Sequence, residues 1–365
     1  MDLFSDYTLR TIAIGAGLIG VVSGTLGTFA VLRRESLLGD TISHATLPGL
    51  AIAFVLTGSK APLVLTLGAA LAGFAATLLV QAIVRATRVK VDAALALVLS
   101  VFFGVGLVLL TWIQSRPDAR QAGLDTYLFG QAAAIVRRDV VTIGTLGAVA
   151  LLLTAAFWKE LKLVSFDSDF AATLGVRVRA YEILVTGLLV AAIVIGLQAV
   201  GVVLMTAMVV APASAARQWT DRLGAMALLG GAFGALGGVA GAVVSAQGAR
   251  LPTGPTIVVC LTLIVAVSIL FAPRHGIVFR WFEERRAAAR LRVTAALEGL
   301  ETLAREHEHV HGHAAAVVRL AGGADLRPSL EELERRGWAT RTGDDDWALT
   351  PTGRAEARSR RGRTA

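Results

Sequence analysis

The feature that most constrains this chain is a succession of long apolar segments, at residues 9–32, 43–57, 61–84, 91–113, 140–158, 181–216, 223–246 and 254–272, separated by short charged stretches. Roughly 20 apolar residues cross a bilayer as a helix, and most of these runs reach that length. Lipid offers no hydrogen-bond partner to an open backbone, so such runs fold as helices. The 365 residues are 55% hydrophobic and only 17% charged, with a mean hydropathy of +0.66, outside the range of a soluble globular domain. The expected fold class is therefore an all-α polytopic membrane protein. The first run is too long for a secretory signal, has Arg10 near its start and lacks a small-residue cleavage site before Arg33-Arg34, so it reads as a retained helix.

Charge sets the expected topology. Basic residues cluster at Arg33 and Arg34, at Arg85, Arg88 and Lys90, at Lys159, Lys162, Arg177 and Arg179, at Arg217 and Arg222, and again from Arg274 onward. Placing all five clusters in the cytoplasm satisfies the positive-inside tendency only if the chain crosses twice between Arg179 and Arg217. The run 181–216 is long enough to do so with a break at Gln198–Gly201. The count is then nine transmembrane helices, with the N-terminus outside and the C-terminus inside, or eight, with 181–216 as one span plus a broken helix. The external stretch 114–138 reads as a loop with a surface-lying helix. Glycines such as Gly230, Gly234, Gly237 and Gly241 recur at spacings that let membrane helices approach closely, a packing role. Cys260, the one cysteine, has no partner for a disulfide and reads as core.

From Pro273 the composition changes to 17 arginines against 14 acidic residues, a soluble tail. Residues 277–312 read as a charged helical linker, 313–358 as a small α+β domain and 359–365 as a basic, disordered end. Within the tail, Leu330–Arg336 reads as a helix and Trp338–Thr350 as strand, turn, strand. The stretch Trp347-Ala348-Leu349-Thr350-Pro351-Thr352-Gly353-Arg354-Ala355 resembles winged-helix units of metal-dependent repressors. Nucleic acid is disfavoured as a partner, because Glu331, Glu332 and Glu334 on the presumed second helix would repel phosphates. His307, His309, His311 and His313, beside Glu306 and Glu308, form a candidate regulatory metal cluster, with an adventitious solvent-exposed binder as the alternative.

The chemistry concentrates between the first two apolar runs. Asp40 and His44, spaced i, i+4, face the same way on a helix, one turn apart. An ionised side chain at membrane depth is costly and is rarely kept without a partner or a task. Carboxylate oxygen and imidazole nitrogen together suit manganese, iron or zinc. Alternatively the two bond each other or cap the start of the helix. Pro48 and Gly49 close by allow the backbone to bend. Gln198, a polar amide at the suspected break, is a candidate pathway residue or an interhelical hydrogen bonder.

The block Leu38-Gly39-Asp40-x-x-Ser43-His44-Ala45-x-Leu47-Pro48-Gly49 resembles the signature of membrane permeases of metal-type ATP-binding cassette importers. The resemblance continues through Val164–Gly175, through Gln198-Ala199-Val200-Gly201 to Pro212, and through Leu251-Pro252-Thr253-Gly254-Pro255. It thus covers residues 9–276, the expected permease domain being 1–276. It implies a permease homodimer, a cytoplasmic ATPase subunit, an extracytoplasmic metal-binding protein and residence in the cell membrane of a prokaryote. It also implies that Asp40 and His44 hold the metal in the translocation path. By the same resemblance Phe166, Asp167, Asp169, Phe170, Ala171, Leu174 and Gly175 form a coupling helix that rests on the ATPase. The sequence has no phosphate loop, so the expected role is a transport subunit, not an enzyme. No cofactor is expected to stay bound; the divalent metal is cargo, with manganese favoured, then zinc or iron. Competing readings are a siderophore or corrinoid chelate permease and a membrane-tethered metal-responsive regulator. A membrane metalloprotease is poorer still, since no H-E-x-x-H motif occurs.

Overall fold

The computed structural model describes residues 7–35, 37–59, 61–115, 135–247, 251–306, 313–314, 327–343 and 346–364. It divides into two units, Met1–Gly276 and Ile277–Ala365. Most of the stretch 114–138, expected as an external loop, lies outside the described residues, as do His307, His309 and His311.

Among the described residues the regular structure of the first unit is all helical. Its helices are α1 (Tyr7–Leu32), α2 (Leu38–Thr57), α3 (Pro62–Ala86), α4 (Val91–Gln114), α5 (Arg137–Ala156), α6 (Trp158–Phe166), α7 (Ser168–Thr173), α8 (Val178–Val200), α9 (Val202–Trp219), α10 (Leu223–Gln247) and α11 (Thr253–Phe271). Among the described residues seven of these, α1, α3, α4, α5, α8, α10 and α11, are long and apolar enough to cross a membrane. The chain is thus a multi-pass membrane protein. α2 and α9 fall outside that set: α2 carries Asp40 and His44, and α9 ends in Arg217-Gln218-Trp219.

The run 181–216 divides at one residue. Gly201 has φ +87°, a left-handed value that a side chain would resist, and it separates α8 from α9. Its N–H still bonds the Leu197 carbonyl at 2.9 Å, so the first helix closes its last turn before the chain departs.

α1 and α10 approach closely along their backbones, and glycine makes it possible. A methyl at Gly230 would lie 2.7 Å from the Gly24 carbonyl oxygen, and one at Gly234 would fall onto the Gly20 carbonyl. Gly49 of α2 and Gly68 of α3 abut in the same way. Gly106 of α4 sits against Pro48, where a methyl would stand 2.9 Å from the ring Cδ. Lipid is as apolar as leucine, so helix association here rests on such packing and not on a hydrophobic gradient. The core that results runs through Leu26 and Phe29 of α1, Ile42 and Ala45 of α2, Leu95 and Val98 of α4, Ile193 and Leu197 of α8, and Met205 and Met208 of α9.

At one end of the bundle charged residues tie helices together. Arg33 pairs with Glu35 at 3.2 Å, and Arg85 of α3 reaches Glu182 of α8 at 2.5 Å. Burial pushes the Glu35 carboxyl above the usual carboxylate range; Arg33 pulls against that and Glu182 adds to it. Asp221, after α9, accepts from Arg274 at 3.2 Å and stands 3.3 Å from the His275 ring; the His275 contact holds its carboxyl low.

The second unit contains α12 (Ile277–Glu306), β1 (His313–Ala314), α13 (Arg327–Arg335), β2 (Ala339–Arg341), β3 (Asp346–Leu349) and α14 (Pro351–Thr364). The strands form an antiparallel sheet in the order β1-β3-β2, with Thr340 opposite Ala348 and His313 opposite Trp347. Alternation along β3 puts Trp347 and Leu349 inside, against Leu330 and Leu333 of α13 and Ala357 of α14. Ala296, Leu297 and Leu300 belong to the same core. α12, within the stretch 277–312 expected as a linker, therefore supplies part of the tail's hydrophobic centre. The segment 359–365, expected to be disordered, instead continues α14 as helix through Thr364. Glu332 of α13 pairs with Arg335 at 2.8 Å and with Arg336, just past the helix, at 2.9 Å, so neighbouring arginines offset part of its acidic face.

Candidate functional site

The sequence begins α2 five residues earlier than its apolar run suggested, at Leu38, which places Asp40 in the first turn and His44 one turn further along. Unpaired N–H groups at a helix start favour a negative charge there. The carboxylate thus stands near one end of its helix and not at mid-span. His44 Nε2 lies 3.3 Å from Asp40 Oδ1. Thr206, from α9, donates its hydroxyl to the same oxygen at 3.3 Å. Both contacts are long for hydrogen bonds and converge on Oδ1, which leaves Oδ2 outside them.

Other residues fix the imidazole. The Phe103 ring of α4 and the His44 ring meet in a T-shaped contact, 4.8 Å between centroids and 75° between planes. His44 Nδ1 and Ser43 Oγ are both buried without a hydrogen-bond partner among the described residues. A neutral His44 that donates from Nε2 to Asp40 carries its lone pair on Nδ1. The side chains are partly open, Asp40 at 34% and His44 at 18% exposure, so this pair is not sealed in the core. Neighbours are small or hydroxylated: Gly39 packs on Thr206 and Val209, and Thr41 bonds the Leu95 carbonyl at 3.3 Å. α2, α4 and α9 therefore converge at Asp40 and His44.

The chemical capacity is an oxygen–nitrogen donor set with a hydroxyl beside it. Among the described residues no group of three or more His, Cys, Asp or Glu is placed to hold a metal ion. One chain thus presents two ionisable donors and Thr206. Thr206 and Phe103 escaped the sequence reading. Thr206 is five residues past the Gly201 break, and that hydroxyl within an apolar run was the available signal; nothing local marks Phe103. Gln198 lies in the last turn of α8, three residues before Gly201. His313 contributes backbone to β1.

The segment expected to meet an ATPase forms the short helix α7. Asp167 caps it, its carboxylate accepting the Phe170 N–H at 2.9 Å, and Asp169 lies in its first turn. Gly175, at φ +77°, ends it, and the Val176 N–H returns to the Ala171 carbonyl at 3.1 Å. Ala171 is fully buried, while Phe166, Phe170 and Leu174 are more than half exposed. Three large apolar side chains at spacings of four thus point out of one helical turn and its flanks.

The family model described as the ABC 3 transport family matches residues 5–272. The chain belongs to that family. It is accordingly a metal-type ATP-binding cassette importer permease, a transport-system membrane protein and not itself an enzyme. It is 49% identical to the zinc transport system membrane protein TroC of Treponema pallidum over 288 residues, 79% of this chain and 97% of that protein. It is 40% identical to the manganese transport system membrane protein MntC of Bacillus subtilis over 342 residues, 93% of this chain and 78% of that protein. That second match runs into the C-terminal unit. Among solved structures, PsaBC from Streptococcus pneumoniae in complex with Fab matches with a TM-score of 0.65 and 32% identity, over 75% of this chain and 95% of that one.

Proposed function

We propose that this permease moves a divalent transition metal into the cytoplasm, manganese before zinc or iron, along a path held by two copies of the chain. The observation that carries the reading is the meeting of Asp40, His44 and Thr206 from two helices that are less apolar than the spans around them. An importer needs dehydrating ligands on its path, and a carboxylate, an imidazole and a hydroxyl supply oxygen-rich coordination without thiolate. That balance favours manganese over the softer ions. The relatives' names divide among zinc, manganese and iron, and the match to the Bacillus subtilis manganese protein runs into the tail.

Two copies contribute two carboxylates and two imidazoles, enough for a divalent ion. A cytoplasmic ATPase docks on α7 through Phe166, Phe170 and Leu174, whose exposure supports the reading. An extracytoplasmic binding protein delivers the ion. On this reading α2 and α9 also cross the bilayer, giving nine spans with the N-terminus outside and the C-terminal unit in the cytoplasm of a prokaryotic cell. That unit is a winged-helix-like regulatory or assembly element, and its His307–His313 segment is a candidate metal sensor. Gln198 stays a candidate for the pathway.

The test is uptake of radioactive manganese, zinc and iron by cells that express this chain with its ATPase, comparing wild type with Asp40→Ala and His44→Ala at equal membrane abundance. Both variants are expected to lose selective uptake. Undiminished uptake in Asp40→Ala would sink the site assignment.

A further inference from the structure

The first turns of α12 expose apolar side chains on both sides, with Phe279 and Phe282 on the side that further along enters the core. The C-terminal half of α12 buries Ala296, Leu297 and Leu300 in the tail's core. The opposite side carries Ile277, Trp281, Ala288 and Leu291, at helical spacings of four, seven and three, and all are exposed. Leu291 is 70% exposed, Ile277 49% and Trp281 45%. Glu284, in the same row, is tied to Arg280 at 3.5 Å. Arginines flank the row: Arg280 on one side, Arg285 and Arg292 on the other, with the Arg285 guanidinium 3.7 Å over the Trp281 ring. An apolar row edged by arginines, with an indole under a guanidinium, is the composition of a helix that lies in a membrane interface.

Chain continuity brings the start of this row close to lipid. α11 is a membrane span that ends at Phe271, and α12 starts at Ile277. The joint is compact, since the Gly276 N–H bonds the Ala272 carbonyl at 2.9 Å. Even fully extended, those residues reach only about 20 Å. We infer that the Ile277–Leu291 face of α12 rests on the bilayer surface and that its flanking arginines recognise anionic lipid headgroups.

The full chain, with Cys260→Ser and a nitroxide on Ala288→Cys, is placed in nanodiscs of phosphatidylglycerol or of phosphatidylcholine. Collision with oxygen reports lipid, and collision with a water-soluble nickel chelate reports solvent. Position 288 is two turns past Trp281 on its face; a helix that left the membrane would carry it into water. The expected result is oxygen-dominated collision at 288 in phosphatidylglycerol and a shift toward nickel in phosphatidylcholine. A label on Arg286→Cys, on the opposite side of the helix, should stay open to nickel in both. Adding Arg285→Gln and Arg292→Gln should lower the bound-to-free ratio in phosphatidylglycerol roughly 25-fold, about five-fold per charge. Nickel access at 288 in both lipids overturns the proposal. So does equal immersion in the two lipids, which removes the anionic headgroup, or shielding from both reagents, which means a protein covers the face.

Discussion

Replacing Gly230 by alanine tests whether the α1–α10 contact holds this bundle together. The added methyl would lie 2.7 Å from the Gly24 carbonyl oxygen and 3.1 Å from Thr28 Cγ2. Ordinary contact begins near 3.4 Å, so the two backbones must part by about 0.7 Å. A gap of that size forfeits roughly a quarter to a half of each dispersion contact along the seam. Overpacking of this kind costs about 1–3 kcal/mol, and the better helix propensity of alanine returns at most about 1. The net expectation is a loss of about 1–2 kcal/mol, a factor of roughly 5–30 in the folded-to-unfolded ratio. Gly104→Ala is the matched control, since a methyl there meets nothing within 4 Å. Unfolding by sodium dodecyl sulfate in mixed micelles should show Gly230→Ala destabilised and Gly104→Ala unchanged or more stable. Equal behaviour of the two variants would refute the reasoning, because chemistry is the same and only the neighbour differs.

Three further outcomes follow from single sites. Thr206→Val removes the hydroxyl on Asp40, a long bond worth about 0.5–1.5 kcal/mol, so half-saturating manganese in uptake should rise roughly two- to ten-fold; complete loss would mean Thr206 does more than position the carboxylate. Phe166→Ala with Phe170→Ala alters exposed rings and should leave membrane abundance intact while ATPase co-purification falls; unchanged co-purification would remove α7 from the interface. Glu35, with its pKa raised by burial, binds its proton more tightly in the folded chain than in the unfolded one. Stability should therefore rise as pH falls through the folded pKa toward the ordinary carboxylate value, and Glu35→Gln should lack that rise in melting profiles between pH 7 and 5.

The helices were legible because lipid demands long apolar runs, and Gly201 was legible as part of a break because one run was too long for a single span. Asp40 and His44 were legible because ionisable side chains stand out against such runs. Their setting was harder to read. The start of α2 was placed late because Leu38–Ile42 mixes Gly and Asp into a helix whose first turn favours that carboxylate. Thr206 is distant in sequence from Asp40, and only packing of α9 on α2 brings its hydroxyl there. In the tail, charge hid a core-forming helix: α12 is mostly arginine, glutamate and alanine, and its buried positions are as small as Ala296.

A transporter must release what it binds, and a divided site offers a way. One chain supplies a carboxylate, an imidazole and a hydroxyl, fewer strong donors than the four a zinc-like ion usually takes. If two copies share one ion, as proposed above, any motion that separates their α2 helices halves the coordination at once. Affinity then falls without a proton or a chemical step. The arrangement can be tested with a covalently linked tandem of two chains, one wild type and one Asp40→Ala. Independent sites in each copy would leave about half of the uptake. A shared site loses one of its two carboxylates for every ion, so uptake should fall far below half, and a tandem that retains half would place a complete path within each chain.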